Sequence, residues 1–395
     1  MGLRIENIEL LLFIAVVVIL VTRRLQIPYT VGLMVAGVVL ALTSFVPTIS
    51  LTKELIFTVF LPPLVYEATL YIHWKELRQD LSVIMTFVTV GVLLSAAVTA
   101  VGMYYIVGWP WQSAILFGVL IAATDPVSVI ATFKESGVQG RLRLLVEAES
   151  LFNDSTAAIG FSIALAFALG TPITVSGTLQ TLFTTVVGGI ICGLIVTGGV
   201  LLLAWHTTDH LVEITLTTIA AYGSFLLAEH FHFSGVLATI IAGLVTGNVG
   251  HLGSISPNGR EAIEAFWDFI VFIVNSLIFM LIGIRIAQQD FASVWGAILV
   301  GILLVILGRA IAIYPLSSLF ARTALRLERV DQHILFWGGL RGALALALAL
   351  GLPSTIPHSA EIVSVTFGVV GFSVFVQGLT MTPLLRRTGQ IPKPE

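Results

Sequence analysis

Long apolar runs separated by short polar stretches fill the chain from end to end. A run of roughly 18 or more residues is long enough to cross a bilayer as a helix. Counting such runs, interrupted ones included, the pattern predicts thirteen spans, at 6–22, 29–46, 54–70, 81–107, 112–134, 143–169, 174–204, 211–230, 233–248, 263–284, 291–321, 332–351 and 360–384. The expected fold is an all-α membrane protein of about 13 transmembrane helices. Span five is broken at Thr124-Asp125-Pro126 and span twelve at Trp337-Gly338-Gly339-Leu340-Arg341-Gly342. The spans divide into six, a linking helix and six, so each broken span is fifth in its half. With the N-terminus outside, the first six begin outside and the last six inside, and the halves are related by an inverted axis, as is common in secondary transporters. One transmembrane domain over 1–395 is expected, with repeat one at about 6–169, the linking helix at about 174–204 and repeat two at about 211–384. No residue-level repeat relates the halves; the symmetry is read from topology. Paired broken helices at corresponding positions point to a midplane ion site, because freed carbonyls and helix ends can face a cavity.

Composition narrows the class. Of 395 residues, 57% are hydrophobic and 10% charged, and mean hydropathy is +1.02, whereas a soluble domain carries roughly a quarter of its residues charged. The net charge of −3 adds little, but the placement of Lys and Arg is informative, since they collect in short cytoplasmic loops. With the N-terminus outside, fourteen fall inside (Arg23, Arg24, Lys75, Arg78, Lys134, Arg141, Arg143, Arg260, Arg322, Arg326, Arg329, Arg386, Arg387 and Lys393) and three outside (Arg4, Lys53 and Arg285). That split favours an odd span count and a cytoplasmic C-terminus. Arg4 is offset by Glu6 and Glu9 and no small-residue cleavage site follows, so the first run reads as a retained helix. The single Cys192 has no partner for a disulfide or a thiolate metal site. The longest polar gap, Asn248 to Glu261, is short, and about ten residues follow the last span, so no cytoplasmic regulatory domain is expected. No nucleic-acid partner is expected either.

Two arginines, Arg309 and Arg341, and an acidic and polar cluster lie inside spans. The cluster is Glu149-Ser150-Leu151-Phe152-Asn153-Asp154. An intramembrane charge costs roughly 2.5–3.5 kcal/mol at a helix centre on insertion scales, so each one needs a reason. Glu149 and Asn153 are one helical turn apart, as are Ser150 and Asp154, which sets four oxygen-bearing side chains on adjoining strips of one face. Hard oxygens suit an alkali cation or a proton, and a desolvated Asp can be tuned to hold either near neutral pH. Asp154 is the central candidate; the competing reading, a structural Asp paired to an arginine, is filled better by Glu149 with Arg309. Asp125 precedes a proline at a helix break, where its oxygens combine with liberated carbonyls such as that of Thr124; the competing reading is a hydrogen-bonded Asp at a plain kink. Asn153 supplies a neutral amide or simple interhelical packing. Arg341 could offset carbonyls and helix C-terminal ends at the crossing. Glu67, after Leu61-Pro62-Pro63, could reach the cavity through water or snorkel to the interface. His206, His210, His230 and His232 lie near span ends and read as interfacial side chains in preference to pH sensors. Gly189 to Gly193 and Gly338 to Gly342 are small-xxx-small patterns that permit close helix approach.

Ala123-Thr124-Asp125-Pro126, Glu149 to Asp154, Ser234-Gly235-Val236-Leu237-Ala238 and Gly338-Gly339-Leu340-Arg341-Gly342-Ala343 together resemble the monovalent cation:proton antiporters of the first cation–proton antiporter group. These are the prokaryotic NhaP type, related to mammalian sodium/proton exchangers, and the resemblance covers nearly the whole chain. It implies the NhaA-like antiporter fold with inverted six-helix repeats, a dimerisation part and a mobile core part, and a homodimer in the cell membrane. It implies a cation held by Asp125, Ser150 and Asp154, with the Thr124 carbonyl and, through water, Glu67. It also implies that Glu149 and Arg309 form a core ion pair and that the Asn153-Asp154 order belongs to the electroneutral branch. The short C-terminus departs from regulated eukaryotic members.

The resulting mechanism is competition: a cation and a proton cannot both occupy Asp154 favourably, so one displaces the other, and alternating exposure couples their movement. No cofactor is required; Na⁺ and H⁺ are the transported substrates. Oxygen ligands serve Na⁺, Li⁺ and K⁺ alike and cavity size decides between them, so Na⁺ (or Li⁺)/H⁺ exchange and K⁺/H⁺ exchange stand side by side. Two readings from other classes are a passive cation channel, which is usually lined by a repeated ring, and an intramembrane aspartyl protease using Asp125 and Asp154, whose Tyr-Asp and Gly-x-Gly-Asp settings are missing here.

Overall fold

In a bilayer the backbone must satisfy its own hydrogen bonds, and the helix does so within one segment. The computed structural model describes residues 5–25, 27–43, 51–125, 127, 129, 130, 133, 138–171, 174–250 and 255–391, and every regular element among them is helical. Arg4, Pro126, Lys134 and Lys393, named above, lie outside the described residues. In chain order the helices are α1 Ile5–Leu25, α2 Tyr29–Ala41, α3 Leu55–Leu70, α4 Trp74–Val107, α5 Trp111–Leu120, α6 Arg141–Ala168, α7 Val175–Ala204, α8 His210–His230, α9 Gly235–Val249, α10 Pro257–Ala287, α11 Trp295–Leu319, α12 Arg329–Leu350 and α13 Ser359–Arg387. Eight helices among the described residues are long and apolar enough to cross a membrane; α2, α3, α5 and α9 are shorter apolar helices.

Several helices run past the apolar stretch that announces them. α4 starts at Trp74 and α10 at Pro257, whereas their apolar runs begin at 81 and 263. Hydropathy marks the part of a helix that contacts hydrocarbon; backbone hydrogen bonding continues into the polar turns beyond it. Starts are set by local chemistry. Pro28 and Pro110 precede α2 and α5, Asp209 accepts from Leu211 N at 2.9 Å to open α8, and Ser234 accepts from Leu237 N at 3.2 Å to open α9.

The chain divides into two compact units that cut across the two halves of the sequence. The first unit is 1–56, 82–170 and 275–395; the second is 57–81 and 171–274. In the second, α3, α7, α8 and α9 pack together around Tyr66, Leu216, Ala220, Ala242 and Trp267. Tyr66 donates to Thr246 Oγ1 at 2.9 Å and Trp267 to Thr217 Oγ1 at 3.1 Å, so each buried ring has its polar atom paired. A side chain at Gly189 or Gly193 of α7 would run into the backbone of Ser234 or Ala238, which is how α7 and α9 come close. The first turns of α3 are π-helical over Leu55–Phe60. Pro63 has no N–H for the carbonyl four residues back, Val59 O, and the Tyr222 hydroxyl takes it at 2.9 Å. Tyr222→Phe is expected to cost about 0.6 kcal/mol, the usual worth of one hydrogen bond inside a membrane protein, read as a slightly lower melting temperature in detergent with transport intact.

In the first unit, α4 packs on α5 and α11, α5 on α6, and α13 on α11 and the second arm of α12. α12 is broken: its first arm is Arg329–Gly338 and its second Ala343–Leu350. The second arm alternates Ala and Leu and is buried from Ala343 to Ala349, a helix apolar all round and therefore surrounded by protein. α5 ends at Leu120, the chain is non-helical from Ala123 to Asp125, and Val127, Val129, Ile130 and Phe133 are helical beyond the break. Each broken helix leaves a carbonyl-rich end and an amide-rich end that need partners inside the unit.

Candidate functional site

The two breaks of the first unit meet, and each supplies what the other lacks. Asp125 N donates to Leu340 O at 2.7 Å, tying one non-helical strand to the other. The Asp125 carboxylate accepts from Val127 N at 2.9 Å. It lies against Gly342, at the amide end of the second arm of α12, which favours a negative charge. In return the Arg341 guanidinium donates from Nη1 to Ala122 O and Ala123 O, at 2.6 and 3.1 Å, covering the carbonyl end of α5. Arg341 is buried, and its Nε has no hydrogen-bond partner among the described residues.

The polar face of α6 lies against this crossing. Asn153 Nδ2 donates to Ala122 O at 3.0 Å and to Thr124 Oγ1 at 2.9 Å. Thr124 Oγ1 shares a hydrogen bond with Ser150 Oγ at 3.1 Å. Thr124, Ser150 and Asn153 are buried, while Asp125 and Asp154 are partly exposed. Asp154 is the odd member: its Oδ1 is buried with no hydrogen-bond partner among the described residues, and so is Asn153 Oδ1. A buried carboxylate oxygen left unpaired needs a proton or a cation to be electrostatically content.

Glu149 has a cation for a partner. Arg309 of α11 donates from Nη1 to Glu149 Oε1 at 2.7 Å and from Nη2 to Oε2 at 2.9 Å, a two-pronged pair. The same guanidinium donates to Leu335 O from Nη2 at 2.8 Å and from Nε at 3.3 Å, covering the carbonyl end of the first arm of α12. Arg309 and Arg341 thus do the same job at the two breaks. Glu67 lies in the second unit, buried on α3. His206, His210, His230 and His232 are exposed.

The glycines of α12 have a different reason from the helix-approach pattern that their spacing suggests. A Cβ at Gly339 would overlap the Arg309 guanidinium, and one at Gly342 would overlap the Asp125 carboxylate. Gly342→Ala is therefore expected to displace the Asp125 carboxylate and to cut transport at least roughly tenfold, in the range that loss of an orienting contact costs; a transport assay at matched protein levels checks it. Sequence reasoning misses Ser373 and Gln377 of α13. Ser373 Oγ accepts from Arg341 N at 2.8 Å, and both side chains are buried at the crossing. The signal that could have found them is two polar residues one turn apart inside an apolar span.

A family model described as the transmembrane sodium/hydrogen exchanger matches residues 11–387. The chain belongs to the sodium/hydrogen exchanger family. Among curated relatives it is 39% identical over 370 residues to the Na⁺/H⁺ antiporter ApNhaP of Aphanothece halophytica, covering 93% of this chain and 70% of that one. It is 34% identical to the Na⁺/H⁺ antiporter NhaH of Halobacillus dabanensis, covering 98% of each. Its structure superposes on that of the sodium proton antiporter MjNhaP1 from Methanocaldococcus jannaschii with a TM-score of 0.81 at 20% identity, over 100% of both chains, so the two share a fold. A member of the sodium/hydrogen exchanger family is a multi-pass membrane transporter and not an enzyme, which sets the protease reading aside. The relatives carry sodium in their names, and the K⁺/H⁺ alternative draws no support from them.

Proposed function

We infer that this exchanger moves Na⁺ (or Li⁺) outward in exchange for H⁺ across the cell membrane, one proton per cation, serving sodium removal and pH homeostasis. The observation that carries the reading is Asp154 Oδ1, buried and without a hydrogen-bond partner among the described residues. An oxygen in that setting is stabilised by a bound proton or by a bound cation, and one occupant excludes the other. In this reading Asp125, Ser150 and Asp154 hold the cation, with the Thr124 carbonyl, while Asn153 orients Thr124. Glu149 and Arg309 are structural, and Arg341 neutralises the helix ends. Electroneutral exchange is what the resemblance of the Asn153-Asp154 order to the electroneutral branch implies. The thirteen-crossing topology in inverted six-helix repeats, with the N-terminus outside and the C-terminus cytoplasmic, and a homodimeric assembly belong to the same proposal.

The test is a proteoliposome preparation holding a pH gradient, reported by a pH-sensitive dye while Na⁺, Li⁺ or K⁺ is added. Collapse of the gradient on Na⁺ or Li⁺, insensitive to an imposed membrane potential, is the expected result. A response that tracks the membrane potential would overturn the one-for-one stoichiometry, and no response to Na⁺ or Li⁺ from pH 5 to 9 would overturn the function.

A further inference from the structure

α13 contributes two buried polar side chains that the ion-binding reading leaves unused. It is regular over Ser359–Phe372, widens to a π-helical turn over Ser373–Gly378, and resumes as Leu379–Arg387. Such turns are uncommon and concentrate at functional sites. Within this one, Ser373 is 1% exposed and Gln377 7%. Ser373 Oγ accepts the Arg341 N–H at 2.8 Å and donates to Gln377 Oε1 at 2.6 Å. Gln377 Nε2 donates to Trp337 O at 3.4 Å. The three bonds form one chain from the backbone amide of residue 341 to the backbone carbonyl of residue 337, spanning the break of α12.

The polarity of that chain leaves little choice of residue. Because Ser373 Oγ accepts from Arg341 N, its own hydrogen needs an acceptor, which orients the Gln377 amide with Oε1 toward Ser373 and Nε2 toward the carbonyl. Glu at 377 would set an oxygen against Trp337 O, and Leu would supply neither end. A second tie, Trp337 Nε1 to Thr380 Oγ1 at 2.8 Å, fastens the same stretch of α13 to the end of the first arm. On the other side of the break, Leu340 O holds Asp125 N and Arg341 holds the carbonyls of Ala122 and Ala123. The residues that position Asp125 are thus themselves positioned from α13.

We propose that Ser373 and Gln377 are a positioning pair for cation binding, holding the break of α12 so that Leu340 and Arg341 keep Asp125 and the Ala122–Thr124 strand in register. The inference rests on the exchange reading above. The pair touches no transported ion; its effect passes through the backbone of residues 337–341. A cation site tolerates misplacement of only about 0.5 Å, so slack at the break is felt as affinity before it is felt as loss of fold.

The experiment compares Ser373→Ala, Gln377→Leu and the double variant with wild type in proteoliposomes, measuring initial exchange rates over a range of Na⁺ concentrations. Apparent KM for Na⁺ is expected to rise roughly 10–100-fold in each single variant, the penalty for losing an outer-shell partner of a metal site, with maximal rate changing far less. The double variant should match the worse single one, because the two side chains act as one unit. Ser373→Thr, which keeps the hydroxyl, should restore most of the affinity. Amide hydrogen exchange at residues 337–343 should quicken in the single variants, a readout independent of transport. If Ser373→Ala fails to fold, Gln377→Leu carries the same expectation. An active wild type with unchanged KM in both single variants overturns the pair and leaves the transport function standing. A wild type that exchanges no cation overturns the function and the pair's role with it.

Discussion

Asp154→Asn is expected to abolish cation-driven proton movement in proteoliposomes while leaving a protein that melts where the wild type does. The two halves of that result come from different features of one side chain. Asparagine keeps the shape but carries neither a titratable proton nor a charge, so the competition that couples the two ions has no seat; loss of an outer partner alone costs 10–100-fold, so removing the central ligand should cost at least roughly 100-fold. Stability should hold because Asp154 Oδ1 has no hydrogen-bond partner among the described residues to lose, and a neutral amide in place of the carboxylate adds no charge to the site. Asp125→Asn should also stop transport, with a different signature. That carboxylate accepts from Val127 N, so its neutral replacement exchanges a charge-assisted hydrogen bond for one roughly half as strong and the melting temperature should fall. Robust sodium-dependent exchange by well-folded Asp154→Asn would sink the assignment of Asp154.

Much of this site is legible in the amino-acid sequence. The strip Glu149, Ser150, Asn153, Asp154 follows from helical spacing alone, and the breaks at Asp125 and at Gly338 to Gly342 follow from a proline and a glycine cluster inside apolar runs. What cannot be read there is what depends on the third dimension. Arg341 has no carboxylate partner at all among the described residues; its partners are two backbone carbonyls, which carry no side-chain signature in a sequence. Gly339 and Gly342 look like helix-packing glycines because spacing is the only cue sequence offers, whereas contact with Arg309 and Asp125 is the operative constraint. Ser373 and Gln377 pass as ordinary polar residues of a last span, since nothing in one chain's sequence says that a π-helical turn aims them at residues 337 and 341. The starts of the helices at Trp74 and Pro257 escape hydropathy because it reports the solvent and not the hydrogen bond.

Removing one partner of the Glu149–Arg309 pair should do more harm than removing both. Glu149 is 2% and Arg309 7% exposed, so Glu149→Leu strands a guanidinium that cannot deprotonate, and Arg309→Met strands a carboxylate. Stranding a buried charge costs about 3–5 kcal/mol, whereas replacing a whole buried pair with apolar residues is often neutral. The double variant should not return fully to wild type, because Arg309 also covers Leu335 O. Leaving that buried carbonyl unpaired costs about 1–3 kcal/mol, so the double variant should sit between wild type and either single one. Thermal unfolding in detergent, with all three variants made in parallel, reads the order directly. If the double variant were as unstable as the sum of the singles, charge compensation would not be what the pair contributes, and its four hydrogen bonds would have to be valued separately. The expected order has a further consequence for the exchanger. A pair whose contribution is to cancel charge and hold the first arm of α12 leaves Asp154 as the carboxylate of α6 that is free to trade a proton for a cation, so the double variant, less stable than wild type, should still exchange.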